Sequence, residues 1–160
     1  MITLNDAHYP LVLMSFRDGV CSPADYRALF TRFQSLATNA IKRDTYHVTI
    51  TVSTAGLSPT DRKLVGELTN DVPRAEIDRT LGAFVIDQRA VVRGMITALR
   101  WISPKMPNLR AVSSVDHALS GALECLAVRG IVVDSRQRER ARQWLVGESR
   151  FSLFPAAIAR

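Results

Sequence analysis

The segment that most constrains the fold is residues 81–102, LGAFVIDQRAVVRGMITALRWI. Its residues 83–86 form an uninterrupted apolar run, which is typical of a strand covered on both faces. Asp87 follows, where its carboxylate can cap a helix. Apolar residues then recur at helical spacing on one face: Val92, Met95, Ile96, Leu99 and Ile102. A Ser-Pro pair at 103–104 ends the helix, because a residue before proline avoids the α region. The segment therefore predicts a βα unit with Leu99 in the core.

The same alternation of strand and helix patterns continues along the rest of the chain. Further strands are predicted within residues 2–17, at 46–53 and at 109–113. Further helices are predicted to open at Ser22, at Ser58, at Ser113 or Ser114, and at Asp134, the last one ending at Val146. Alternating strands and helices predict an α/β fold with a largely parallel sheet, because parallel neighbours are joined by helical crossovers.

The strand at residues 46–53 alternates strictly between apolar and polar side chains. Tyr46, Val48, Ile50 and Val52 share one face, and His47, Thr49, Thr51 and Ser53 share the other. This pattern predicts one face on the core and one that is polar or thinly covered. His47 is therefore expected to be a surface or capping residue, with a role as ligand or base as the alternative.

Length, composition and charge restrict the class of protein. A chain of 160 residues is long enough for one domain with a sizeable core. No apolar run approaches the ~18 residues of a membrane span, and the first residues do not follow the pattern of a signal peptide. Cys21 and Cys125 are expected to be reduced structural thiols, which fits a cytoplasmic protein. The net charge of +6 permits an acidic partner without requiring one.

Two stretches, FVIDQRAVVRGMITALRWISP and LRAVSSVDHAL, carry a resemblance to a known family. Together with the order of elements and the hairpin-like start, they resemble the STAS domain of anti-sigma-factor antagonists, the SpoIIAA-like fold of small bacterial proteins. The lipid-binding CRAL-TRIO fold is similar in appearance. The resemblance implies a STAS-like domain over residues 1–128, with a mixed, mostly parallel sheet. It leaves residues 129–160 as a C-terminal helix and an apolar tail that pack on the domain or on a partner.

In this family a phosphorylatable serine lies after the third strand, at the start of the next helix. The corresponding candidates here are Ser53, Thr54 and Ser58, although the Asp-Ser pair that is usual in the family is absent. Ser58 is expected first of all to cap the helix that it precedes. A phosphate at that helix N-terminus would also be electrostatically favourable, so a phosphorylation switch is the alternative.

The sequence shows no catalytic constellation. His8, His47 and His117 lack the close spacing of a helical metal pair, and no glycine-rich phosphate loop precedes a helix. The arginines of the last helix are expected on a solvated face, because no nucleic-acid motif accompanies them; they are Arg136, Arg138, Arg140 and Arg142. We therefore expect no metal, no cofactor, no nucleic-acid partner and no enzymatic activity.

Large apolar residues near the C-terminus indicate a contact surface. Trp144, Phe151 and Phe154 are candidate partner-binding residues, because a patch of this kind usually marks an interface. The leading hypothesis is a non-enzymatic regulatory or scaffold protein that acts through protein contacts, including a homodimer. The alternative, which the CRAL-TRIO likeness implies, is a binder of a lipid or other apolar ligand, in one version associated with a membrane. A third is an enzyme whose site is assembled from distant residues. A closed core favours the first, an apolar cavity the second and a cleft with converging His, Asp or Cys the third.

Overall fold

The computed structural model describes residues 1–17, 21–53, 58–87, 94, 97 and 108–151. Within these residues a five-stranded sheet carries helices on both faces. The strands are β1 (Ile2–Asn5), β2 (Leu11–Phe16), β3 (His47–Ser53), β4 (Thr80–Ile86) and β5 (Leu109–Val112). The helices are α1 (Pro23–Lys42), α2 (Pro59–Asp71), α3 (Arg74–Ile77), α4 (Val115–Ala127) and α5 (Ser135–Phe151). The predicted α/β class is confirmed.

The strands lie in the sheet in their order along the chain, β1-β2-β3-β4-β5. β1 and β2 form an antiparallel hairpin, and every later neighbour is parallel. The sheet is therefore mixed and mostly parallel, as predicted. β4 is the strand of the central βα unit. Of the residues between β4 and β5, Gly94 and Thr97 are helical, and Leu99 lies outside the described residues.

Capping boxes start helices α1 and α2. Ser22 accepts a hydrogen bond from the backbone N–H of Asp25, whose carboxylate accepts one from the backbone N–H of Ser22. Ser58 and Asp61 repeat this arrangement at the start of α2. A proline follows each serine at the first helical position, where its missing N–H costs nothing. The predicted helix starts at Ser22 and Ser58 are confirmed.

One face of the sheet forms a closed core with α4 and α5. The strand residues are fully or almost fully buried: Leu11, Leu13, Val48, Ile50, Val52, Phe84 and Ile86. The helices contribute Ala118, Leu119, Ala122, Leu126, Ala141 and Leu145 to the same core. The Phe84 ring lies directly on Gly121 of α4, where an added Cβ would come within 2.5 Å of the ring carbon Cε1. Only glycine leaves enough room at this position.

The C-terminal helix belongs to this closed core. α5 continues to Phe151, five residues beyond the end predicted at Val146. Ala141 and Leu145 have no exposed surface, because they face the sheet. Near the end of α5, the carboxylate of Glu148 accepts two hydrogen bonds from the Arg17 guanidinium, at 2.9 and 2.7 Å. The described part of residues 129–160 therefore packs on its own domain.

Candidate functional site

An almost wholly apolar cavity of about 220 Å³ lies between the other face of the sheet and helices α1, α2 and α3. Residues from β2, β3, β4 and β5 form its floor. Aromatic and aliphatic side chains make most of its walls: Met14, Phe16, Tyr26, Leu29, Phe30, Phe33, Val65, Val72, Ile77 and Leu109. A concave, largely apolar site with a few polar groups is the usual form of a small-molecule pocket.

Short side chains leave this space open. β3 turns Thr49 toward the cavity, whereas Val48 and Ile50 fill the closed core on the opposite face. Ala37 of α1 and Ala83 of β4 also line the cavity. None of these three lining residues reaches far across the gap between the sheet and the helices. The same strand therefore supports a closed core on one face and a cavity on the other.

His47 is the most deeply buried polar residue of the cavity. It is only 1% exposed, and its Nε2 lies 3.0 Å from the hydroxyl oxygen of Thr80. Within the described part of the chain, its Nδ1 has no hydrogen-bond partner. Burial lowers the pKa of His47 from 6.5 to about 4, so the imidazole is uncharged at neutral pH. The expectation of a surface or capping histidine is wrong, because helices cover this face of the sheet as well and leave His47 buried.

Glu76 of α3 is the second polar group with an unmatched atom in the cavity wall. Its Oε1 accepts a hydrogen bond from the Thr38 hydroxyl at 3.3 Å. Its Oε2 is buried and has no partner among the described residues. His47 and Thr80 begin β3 and β4, and α3 directly precedes β4. These polar residues therefore lie at the amino ends of the strands. We call His47, Glu76 and Thr80 the polar end of the cavity.

Aromatic residues line the opposite end of the cavity. Phe16 ends β2, and Tyr26 and Phe30 lie in the first turns of α1. The Tyr26 side chain is buried, and this burial raises the pKa of its hydroxyl. The rings of Phe30 and Phe33 meet edge to face, with centroids 6.4 Å apart. The cavity is therefore polar at one end and aromatic at the other.

Of the residues predicted to form a phosphorylation switch, Ser53 and Ser58 are described, and neither is among the residues that line this cavity. Ser53 is the last residue of β3 and is buried, and Thr54 lies outside the described residues. Ser58 is exposed and holds the capping box of α2, with its hydroxyl 2.7 Å from Oδ2 of Asp61. The predicted cap is confirmed, and the phosphorylation switch stays a prediction.

Of the predicted partner-binding residues, only Trp144 has a described side chain. Trp144 is partly buried and packs against the closed core. Phe151 ends α5, but its side chain lies outside the described part of the chain, as does Phe154. Their role in partner binding stays a prediction. The helix arginines 136, 138, 140 and 142 are exposed, as expected, and Arg142 pairs with Asp116 at 2.9 Å.

No metal-binding group of three or more His, Cys, Asp or Glu side chains occurs among the residues that the structure describes. In the same residues, no helix combines the length and the apolar character needed to cross a membrane. Both cysteines, Cys21 and Cys125, are free thiols, as expected.

Comparison of the sequence with models of protein families, with curated proteins and with solved structures finds no match in any of the three. The resemblance to STAS domains stays a prediction from the sequence.

Proposed function

We propose that this protein binds a small, uncharged, largely apolar molecule in the cavity between the sheet and helices α1, α2 and α3. The observation that carries the proposal is a 220 Å³ space with almost wholly apolar walls, which has His47, Glu76 and Thr80 at its polar end. Apolar walls favour an apolar ligand, and a few polar groups orient it. This is the alternative that the CRAL-TRIO likeness implies.

The charge state of His47 favours a binding role over a catalytic one. General acid–base catalysis works best when the pKa of the catalytic group lies near the operating pH. A pKa of about 4 makes His47 a weak base at neutral pH. We therefore propose a non-enzymatic function.

We further propose that the fold is of the STAS and CRAL-TRIO kind. Its support is the hairpin of β1 and β2, followed by parallel strands added in chain order. This order agrees with the hairpin-like start and the alternation on which the resemblance is based. A cytoplasmic location also remains a proposal from the sequence.

Thermal unfolding in the presence of indole tests the binding function. A molecule that binds only the folded chain raises its melting temperature. Ala37→Leu extends a side chain into the cavity and should abolish the rise. Ala28→Leu adds the same side chain to an exposed position of the same helix and should keep it. An equal rise in the Ala37→Leu variant would show that indole binds elsewhere. No rise in the wild type with indole, indene or benzofuran would refute the proposal.

Regulation through protein contacts, the leading hypothesis from the sequence, is the second candidate. The observation that favours it is the exposure of Val128 and Val132, at 84% and 90%, in the turn between α4 and α5. If this turn joins two copies of the chain, replacing both valines with serine should lower the mass per particle in light scattering. Ile41→Ser, at an exposed apolar residue of α1, is the control. A wild-type chain that stays monomeric at every concentration excludes such a dimer.

A further inference from the structure

We infer that the ligand is an aromatic hydrocarbon, which brings no hydrogen-bond donor or acceptor into the cavity. This inference rests on the proposed function and specifies the chemical class of the ligand. The observation that carries it is the state of the side-chain polar atoms at the polar end, which are either enclosed by the protein or already bonded within it. A ligand therefore meets walls that are almost wholly apolar.

The polar atoms of His47 and Thr80 are engaged with each other or enclosed. Nε2 of His47 lies 3.0 Å from the Thr80 hydroxyl oxygen. The two groups form a hydrogen bond in either tautomer of the ring, because a hydroxyl group can both donate and accept. Nδ1 of His47 has almost no accessible surface. His47 therefore lines the cavity without offering either nitrogen to a ligand.

The polar atoms of Glu76 and Thr69 are occupied in the same way. Oε1 of Glu76 accepts a hydrogen bond from the Thr38 hydroxyl at 3.3 Å, and Oε2 has almost no accessible surface. The Thr69 hydroxyl donates to the backbone carbonyl oxygen of Val65 at 2.7 Å. An N–H or O–H group of a ligand would lose its hydrogen bonds to water on entering the cavity and gain no replacement from these groups. Such an unpaired polar group weakens binding.

The aromatic side chains of the wall favour a ligand that contains an aromatic ring. Phe16, Tyr26, Phe30 and Phe33 line the cavity. The rings of Phe30 and Phe33 already meet edge to face, with centroids 6.4 Å apart. Aromatic rings attract one another in offset or edge-to-face arrangements beyond the effect of the buried area. An aromatic hydrocarbon should therefore bind more tightly than a saturated one with the same carbon skeleton.

The volume of the cavity limits the size of the ligand. An apolar cavity of ~150 Å³ is large enough to take up benzene. By proportion, a cavity of 220 Å³ accommodates a molecule of about nine non-hydrogen atoms. Indole, indene and benzofuran have this size and nearly the same shape, but indole offers an N–H donor, benzofuran an acceptor oxygen and indene neither. Hydrindane has the carbon skeleton of indene without its aromatic ring.

Calorimetric titration of the full chain with these four molecules tests the inference. Indene should bind roughly tenfold more tightly than indole, because the indole N–H group gives up its hydrogen bond to water. Hydrindane should bind several-fold more weakly than indene, because it lacks the aromatic contacts. If indole or hydrindane binds as tightly as indene, the inference is overturned and the proposed function stays intact. Binding of none of the four molecules would refute the proposed function itself.

A variant and a direct readout show whether the protein forms a hydrogen bond to indole. Thr49 lines the cavity, and Thr49→Val replaces its hydroxyl group with a methyl group. The ratio of the indene and indole affinities should stay within about twofold of the wild-type ratio, because no hydrogen bond to the ligand is lost. A selective loss of indole binding would overturn the inference.

NMR of indole bound to the wild-type chain covers the case in which this variant fails to fold. The N–H proton of bound, nitrogen-labelled indole should resonate near its position in a hydrocarbon solvent, where it has no hydrogen-bond acceptor. A resonance near its position in water would show that the N–H group is hydrogen-bonded in the cavity, and the inference would be overturned.

Discussion

The two faces of the sheet differ in how completely they are filled. On the face covered by α4 and α5, apolar side chains of the strands and helices pack into one closed core. Phe84 reaches the backbone of α4 because residue 121 is glycine. On the face covered by α1, α2 and α3, a cavity of about 220 Å³ remains. The first face provides stability, and the second carries the unmatched polar atoms of His47 and Glu76.

β3 shows how one strand produces both environments. Its residues alternate between Val or Ile on one side and His, Thr or Ser on the other, and all seven are buried. Branched apolar side chains fill the space between sheet and helix, whereas a threonine or a histidine brings polar atoms that need partners. The buried fraction of a residue therefore does not by itself distinguish a closed core from a binding site. The polar or apolar character of its buried atoms has to be considered as well.

The largest effect is expected on the closed face. Leu145→Ala should lower the free energy of unfolding by roughly 2–5 kcal/mol, because it leaves a cavity where the side chain was fully buried. Chemical denaturation measures the change. Val132→Ala removes exposed methyl groups and should change stability by less than ~0.5 kcal/mol. A loss below about 1 kcal/mol for Leu145→Ala would mean that α5 is not part of the closed core.

On the cavity face, acid should weaken the fold through His47. The pKa is 6.5 in the unfolded chain and about 4 in the folded protein. Between these pH values the unfolded chain binds a proton that the folded chain does not, so stability falls as the pH falls from 6.5 toward 4. The contribution is about 3 kcal/mol over this range, from 1.36 kcal/mol per pKa unit.

Denaturation of the wild type and of His47→Gln at several pH values measures this contribution. All other titrating groups are common to both chains, so their contributions cancel in the difference. The wild type should lose more stability than the variant between pH 6.5 and 4. Parallel pH profiles would show that His47 is hydrated in the folded protein.

Much of the fold could be predicted from the sequence because its signals are local. The serine-proline pairs at residues 22–23 and 58–59 are satisfied by hydrogen bonds within one helical turn. The apolar run at residues 83–86 correctly indicates that β4 is largely buried. The sequence pattern ends the last helix at Val146, whereas α5 continues to Phe151. The added turn contains Glu148, which pairs with Arg17, a residue 131 positions away. A local pattern contains no information about such a contact.

The candidate site could not be predicted, because it depends on how the layers meet. His47 stands on the polar side of an alternating strand, which in many sheets faces water. Glu76 lies in a short helix of four residues, where no periodic pattern marks a buried side. One signal in the sequence does indicate a covered face: Tyr26, Leu29 and Phe33 recur at helical spacing, so α1 needs a face of the sheet to pack against. The spacing does not tell which strand residues lie on that face.

Alanine-to-leucine substitution at one position on each face compares the two faces directly. Ala122 of α4 and Ala37 of α1 are both buried helical alanines, but only Ala37 lines the cavity. Ala122→Leu should destabilise the fold by about 1–3 kcal/mol, because the closed core has no room for a larger side chain. Ala37→Leu should change stability by less than ~1 kcal/mol, because its added atoms enter existing space. Chemical denaturation of both variants checks the contrast. Equal losses would mean that the cavity is as tightly filled as the core.

The smallest effect is expected for two glycines on helices of the closed face. Glycine-to-alanine substitution inside a helix normally stabilises it by about 0.5–1 kcal/mol, because the unfolded chain loses conformational freedom. Gly147 of α5 is exposed and has open space around it, so Gly147→Ala should show this gain. At Gly121 the same gain is opposed by the collision of the new Cβ with the Phe84 ring. Because overpacking typically costs 1–3 kcal/mol, Gly121→Ala should show a net loss of about 1 kcal/mol.

Gly147→Ala is expected to raise the free energy of unfolding and Gly121→Ala to lower it, so chemical denaturation of the two variants distinguishes a tightly packed position from an open one. Both variants replace the same residue type in a helix, so differences in helix propensity cancel. Phe84→Leu provides the control, because it shortens the side chain that lies on Gly121. In that background Gly121→Ala should cost less than in the wild type, since the two positions are coupled by direct contact. If Gly121→Ala instead stabilises the wild type as Gly147→Ala does, Phe84 can withdraw without cost, and the closed face is as loosely filled as the cavity face.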